Sequence, residues 1–217
     1  MSYTGDVTRG GRPAVRELTG LTVRKVSVGP TDNNAYLLTC RADGTQVLID
    51  AANDADTLLE LIGPAGLAAV VTTHRHPDHT GALQQVVKAT GAESIAGADD
   101  AEAIPVVTRT VRDGDTIAVG DCTLEVIHVV GHTPGSIVLL YREPDGIAHL
   151  WTGDSLFPGG VGNTRGDKKN FASLISDVQT KLFDRLGDDT WFYPGHGKDS
   201  TLGAERPHLA EWRERGW

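Results

Sequence analysis

LAAVVTTHRHPDHTG, residues 67–81, sets an apolar, β-branched run directly against three imidazoles and a carboxylate. His74, His76, Asp78 and His79 fall within six positions, in a chain of 217 residues that holds only 8 histidines. An HxH pair at the end of a buried strand can bring two ring nitrogens onto one ion. Asp78 and His79, expected to start the next helix, can then turn toward a second ion about 3.5 Å away. Imidazole and carboxylate donors suit zinc, iron or manganese better than calcium or magnesium.

Four donors cannot fill two coordination spheres, so this reading demands more of them at other strand ends. Three occur: His132 in VGHTPG after CTLEVIHVV, Asp154 in TGD after AHLW, and His196 in PGHG after TWFY. Each follows the same grammar, in which an apolar strand runs into a glycine turn that presents one donor. His128 and His149 lie inside strand patterns and read as packing residues, His208 as helical surface, and Cys40 and Cys122 as small core residues.

Outward from this stretch, LTVRKVSV, NAYLLTC and TQVLID read as an antiparallel meander with turn residues between the runs. DADTLLELIG and TGALQQVVKATG read as helices with glycine stops. VVTRTV, TIAV, CTLEVIHVV, SIVLLYR and AHLWTG form a second, mostly antiparallel run, with hairpin-like turns at DGD (113–115) and EPDG (143–146). Ser155–Asp167 reads as an irregular loop at the mouth of the site. Asn170 reads as the cap of a helix carrying Phe171, Leu174, Ile175, Val178 and Leu182. Residues 1–19, rich in glycine and arginine, read as a flexible lead-in, and residues 20–217 as the folded domain. Strands with helices twice over suggest two sheets packed face to face with helices outside.

Composition narrows the function. The formal charge of −9 disfavours nucleic acid and anionic membrane surfaces as partners. No apolar run approaches the ~20 residues of a membrane span, and the first 20 residues lack the apolar middle of a secretory signal. Two cysteines 82 positions apart make no disulfide framework. A cytoplasmic enzyme acting on a small molecule is expected, with its oligomeric state open.

THRHPDH, GHTPGS, TGD and PGHG together resemble, in order and spacing, the motifs of metallo-β-lactamase-fold hydrolases. The nearest likeness is to the glyoxalase II-like branch, the hydroxyacylglutathione hydrolases and their single-domain relatives. The resemblance spans roughly residues 21–210. It implies an α/β fold, a four-layered αβ/βα sandwich of two mixed β-sheets flanked by helices. It implies two divalent ions, zinc first among them, with His74, His76 and His132 on one, Asp78, His79 and His196 on the other, and Asp154 bridging. It further implies hydrolysis of a thioester by a bridging water, with Asp78 as proton acceptor. An aspartate at the bridging position, where two-zinc lactamases present a cysteine, argues against β-lactams as substrates. The two-domain glyoxalase II enzymes carry a C-terminal helical domain, whereas about 20 residues follow His196 here. A persulfide dioxygenase of the same fold is the rival reading, with one iron on His74, His132 and Asp154. Against it, Asn163-Thr164-Arg165-Gly166 replaces the Arg-Thr-Asp-Phe run associated with that enzyme. A lactonase is a further alternative.

Overall fold

In the computed structural model, which describes residues 3–216, the extended runs build two sheets. The first takes seven strands in chain order: β1 (Ala14–Glu17), β2 (Leu21–Val28), β3 (Asn33–Cys40), β4 (Gln46–Ile49), β5 (Ala69–Thr72), β6 (Glu93–Gly97) and β7 (Arg109–Val111). Pairing is antiparallel from β1 to β4 and parallel from β4 to β7. The parallel part needs crossovers, supplied in part by α1 (Ala55–Ile62) and α2 (Leu83–Thr90).

After β7 come β8 (Thr116–Val119), β9 (Cys122–His128), β10 (Ile137–Arg142), β11 (Ala148–Gly153), the two-stranded hairpin β12 (Leu156–Phe157) and β13 (Gly160–Val161), β14 (Trp191–Pro194) and β15 (Ser200–Thr201). Apart from that hairpin they form the second sheet, in the order β15-β14-β11-β10-β9-β8. Its helices are α3 (Lys168–Asp177), continued by a π-helical stretch to Phe183, then α4 (Leu202–Glu205) and α5 (Leu209–Arg215).

Three apolar clusters account for the layers. Leu38, Val71, Leu124, Leu139 and Trp151 pack between the sheets. Leu48, Leu58, Val70 and Val86 pack the first sheet against α1 and α2. Leu150, Leu174, Leu182, Phe192 and Trp212 pack the second against α3 and α5. Three buried interfaces make four layers, and the two-residue side-chain period sorts each strand between them, with Val71 facing inward and Val70 outward.

Several local expectations need correction. The lead-in was expected to end at residue 19, but Ala14–Glu17 pair with β2, and Tyr3 bonds Asp199. Arg16 of this strand lays its guanidinium over the Trp191 ring, so hydropathy alone hides the strand; Met1 and Ser2 lie outside the described residues. β7 belongs to the first sheet, so the DGD turn passes between sheets instead of closing a hairpin. The helix cap is Asp167, whose carboxylate accepts from Lys169 N and Asn170 N at 2.8 and 3.0 Å, and not Asn170. The loop after Asp154 contains the β12–β13 hairpin. Asp78 and His79 sit in a single 3₁₀ turn, Pro77–His79, with α2 starting only at Leu83.

Candidate metal centre

β4 and β5 run parallel, β11 and β14 run parallel, and β9 is antiparallel to β10, which is antiparallel to β11. The carboxyl ends of all five strands therefore reach one rim of the sandwich. There the two sheets are stitched by Ile137 N to Thr73 O at 2.9 Å and Asn34 N to Gly195 O at 2.7 Å, and within the second sheet Gly195 N bonds Gly153 O at 2.8 Å. The seven residues singled out from the sequence all project from loops on this rim.

Their donor atoms form three overlapping groups: His74, His76 and His132; His74, His79 and Asp154; Asp78, His79 and His196. Within each, the potential ligand atoms lie within 4.8 Å of one another. Asp154 joins the groups: Oδ1 is 3.3 Å from His79 Nε2, and Oδ2 is 3.6 Å from both His132 Nε2 and His196 Nε2. His196 Nε2 lies 3.4 Å from Asp78 Oδ2.

The hydrogen bonds behind the rings settle which nitrogen faces the centre. His132 Nδ1 donates to Asn163 O at 2.9 Å and His196 Nδ1 to Thr31 O at 3.0 Å, since a carbonyl can only accept. Thr73 Oγ1 spends its proton on Asp50 Oδ2 at 2.8 Å, so at 3.1 Å it accepts from His74 Nδ1. Asp50 Oδ2 also accepts from His79 Nδ1 at 2.8 Å. Nδ1 carries the proton in all four rings, and four Nε2 atoms are turned inward. Among the described residues, His74 Nε2, His132 Nε2 and Asp154 Oδ1 are buried with no hydrogen-bond partner. Buried polar atoms without partners cost on the order of 1–3 kcal/mol each, and such atoms within the overlapping donor groups fit cations as the missing partners.

Electrostatics agree with that donor set at His74, His76, His132, Asp78 and Asp154. Burial, reinforced by neighbouring imidazoles, holds His74 well below the usual histidine range and lowers His132 and His76 as well. These rings are thus neutral, as ligands must be. Burial opposes ionisation of Asp154, but His79 and the surrounding rings outweigh it and hold the carboxyl far below the ordinary range. Asp78, opposed by burial, is lowered by the Asn33 amide, which donates to Oδ2 at 3.0 Å.

Two aspartates escaped sequence reading. Asp50 adopts φ +58 at the end of β4 and orders both Thr73 and His79; its signal was the grammar already used for Asp154, an apolar strand ending in a carboxylate. Asp100 accepts from Arg75 N, Thr133 Oγ1 and Gly135 N at 3.0, 2.6 and 2.9 Å. It thereby ties the His74–His76 loop to the His132 loop, and nothing local in its GADD context announces this.

Close packing makes the site sensitive to one methyl group. A Cβ on Gly195 would collide with Asp154 Oδ1 and lie 2.7 Å from His79 Cε1. Gly195→Ala is expected to lower kcat/KM about 100-fold, the effect of a displacement near 1 Å in an ordered site. Kinetics and metal content, with circular dichroism to establish folding, check this.

A cleft of about 280 Å³ opens beside His76 and His132, lined also by Asn163, Thr164, Arg165 and Arg75. Arg165 holds a left-handed φ of +54, and its N–H donates to Asn163 Oδ1 at 2.7 Å. The loop after Asp154 therefore does form part of the mouth. Lys168 and Lys169, the other cations of this segment, are exposed on the first turn of α3.

A family model described as the metallo-beta-lactamase superfamily matches residues 28–202. A hydroxyacylglutathione hydrolase of Rhodospirillum rubrum is 38% identical over 134 residues, which cover 61% of this chain and 51% of that protein. The chain thus spans about half the length of that relative. Hydroxyacylglutathione hydrolase GloC of Haemophilus influenzae is 30% identical over 181 residues, covering 73% of this chain and 83% of that protein. ETHE1 from Myxococcus xanthus superposes with a TM-score of 0.77 at 28% identity, over 88% of this chain and 84% of that one. TTHA1623, solved in a di-iron-bound form, gives 0.67 at 30% identity over 84% and 96%. With the four layers, the rim of converging donors and a family model that runs through nearly all of both sheets, the chain belongs to the metallo-beta-lactamase superfamily.

Proposed function

We propose that this chain is a metal-dependent hydrolase of thioesters, of the kind the hydroxyacylglutathione hydrolase relatives are named for. In this reading two divalent ions, zinc first among the candidates, are held by His74, His76 and His132 and by Asp78, His79 and His196, with Asp154 between them. That His74 Nε2, His132 Nε2 and Asp154 Oδ1 lie buried and unpartnered within these overlapping donor groups is the observation that carries it. The likeness to a protein solved with two irons supports the same count.

The chemistry such a pair supplies when bound is activation of water at neutral pH and polarisation of an acyl carbonyl. The chain does the rest. Asp78, ionised and partly open to solvent, is placed to accept the proton that water sheds. Asn33 holds one of its oxygens and steadies the carboxylate during that transfer. A thiolate leaves without help from a general acid, and the products are a carboxylic acid and a thiol. The substrate acts from the cleft, where Arg75 and Arg165 offer guanidinium donors to a carboxylate on the acyl or thiol part.

Arg75→Ala and Arg165→Ala are each expected to raise KM about tenfold for carboxylate-bearing thioesters, the worth of one charge-assisted hydrogen bond, with little change for neutral ones. Equal effects on both substrate types would remove the anion from the proposal.

The mononuclear alternative, one iron on His74, His132 and Asp154, is kept in view by the likeness to ETHE1. Metal analysis of the purified protein, combined with thioesters, lactones and persulfides as substrates, separates the readings. About two ions per chain with thioester hydrolysis is the expected result. One iron with oxygen consumption on persulfides, or turnover of lactones alone, would replace it.

A further inference from the structure

Strand β2 holds a residue that its own pattern forbids. Leu21 and Val23 face the layer between the sheets, Val26 and Val28 the helical layer. The two-residue period puts Lys25 on the inner face with Leu21 and Val23, and its register partner is the core residue Tyr36. The Lys25 side chain is 0% exposed, and so is that of Asp199.

Every proton of this ammonium is used. It donates to Gly5 O at 2.8 Å, Gly197 O at 2.8 Å and Asp199 Oδ1 at 2.6 Å. The other Asp199 oxygen accepts from the Tyr3 hydroxyl at 2.7 Å. Gly5, at φ +71, packs so tightly on this carboxylate that a Cβ there would collide with Asp199 Oδ2. Residues 3–5 thus cover the pair.

A buried ion pair is a poor stabiliser: desolvating both charges costs roughly what their attraction returns, and apolar replacements of similar volume are often neutral or better. Where the bonds go is more telling. Gly197 O is held twice, by Lys25 Nζ and by Asn34 Nδ2 at 3.0 Å. On the other side of the loop, Pro194 O accepts from Asn34 Nδ2 at 2.9 Å and Tyr36 Oη at 2.6 Å. His196 stands between these two clamps, with Nδ1 on Thr31 O. Among the described residues, no hydrogen bond of Lys25 or Asp199 reaches the loops that carry His74, His76 or His132.

We propose that the buried Lys25–Asp199 pair is a positioning device for His196, holding the Gly195–Asp199 loop so that Nε2 faces Asp78 and His79. It acts on the Asp78, His79 and His196 group and leaves the His74, His76 and His132 group alone. The metal half of this inference rests on the dinuclear reading; the placement of the His196 ring does not.

Two variants test it. Lys25→Met/Asp199→Leu replaces the pair with apolar volume, and Asp199→Asn keeps the shape while removing the charge and one of the two acceptors, should the double variant not fold. In metal-free protein, nitrogen-15 spectra of the histidine side chains are expected to show the His196 Nδ1–H, protected by Thr31 O, lost or exchanging rapidly in the variants, while that of His132 persists. In cobalt(II) titrations followed by absorption, the first equivalent is expected to bind as in the parent and the second about 10–100-fold more weakly, the usual loss when an outer support of a ligand is removed. An unchanged His196 signal, or both cobalt steps weakening together, would overturn the inference. A parent protein that takes up only one cobalt would sink the dinuclear reading instead, with the His196 signal still deciding whether the pair positions that ring.

Discussion

Asp154→Asn is expected to strip the protein of most of its metal and to lower kcat/KM at least about 10³-fold, the equivalent of some 4 kcal/mol of lost charge stabilisation. The reason is geometric. Among the described residues, Asp154 is the side chain whose two oxygens reach both groups, Oδ1 toward His79 and Oδ2 toward His132 and His196. An amide supplies one weak acceptor and no charge, and its NH2 would face imidazole nitrogens already turned inward as acceptors. Metal per chain, measured beside kcat/KM, checks both halves. A variant with normal metal content and activity within tenfold of the parent would show that Asp154 is not the shared ligand.

Chelation carries the second large effect. Without metal, His79 lies between Asp50 Oδ2 at 2.8 Å and Asp154 Oδ1 at 3.3 Å. Burial disfavours its cation, but the two carboxylates overcome this and push it up to about 10. A histidine raised above its unfolded value of about 6.5 stabilises fully below that pH and loses the contribution as pH climbs through its folded value. The metal-free protein should therefore weaken between about pH 6.5 and about pH 10, by an amount on the order of a few kcal/mol.

His74, His76 and His132 act in the opposite direction. Burial lowers them, so the folded protein resists their protonation and loses stability as pH falls below about 6.5. Lys25, lowered by burial, offsets part of the alkaline loss. The comparison that isolates His79 is Asp50→Asn, which should flatten the alkaline limb. Urea denaturation of chelated and metal-loaded protein across this range provides the measurement. A flat metal-free profile, indistinguishable from the loaded one, would refute the account of His79.

The candidate donors were legible because each is announced locally. A strand that ends in Gly-His or Gly-Asp states its own purpose, and three imidazoles in THRHPDH leave few alternatives. Their supports were not. Asp100 lies 25 residues from Arg75 and 33 from Thr133, yet it binds both, because the end of β6 and the His132 loop meet across the gap between sheets. Nothing in THRHPDH assigns Arg75 a role, and its place on the cleft follows from how that loop folds. Lys25 violated the apolar period of β2 without any partner in view, since Gly5 and Asp199 stand 20 and 174 residues away.

Chain order and residue type were enough to place most of the strands and helices and to single out seven candidate donors. These depend on periodicities of a few residues and on side-chain chemistry, both of which are written locally. Folding decided which nitrogen of each ring faces the centre, which carboxylate steadies which loop, and which cations line the cleft. Those outcomes depend on contacts between segments far apart in the chain, and a hydrogen bond of 3 Å exists only once packing has brought its two ends together.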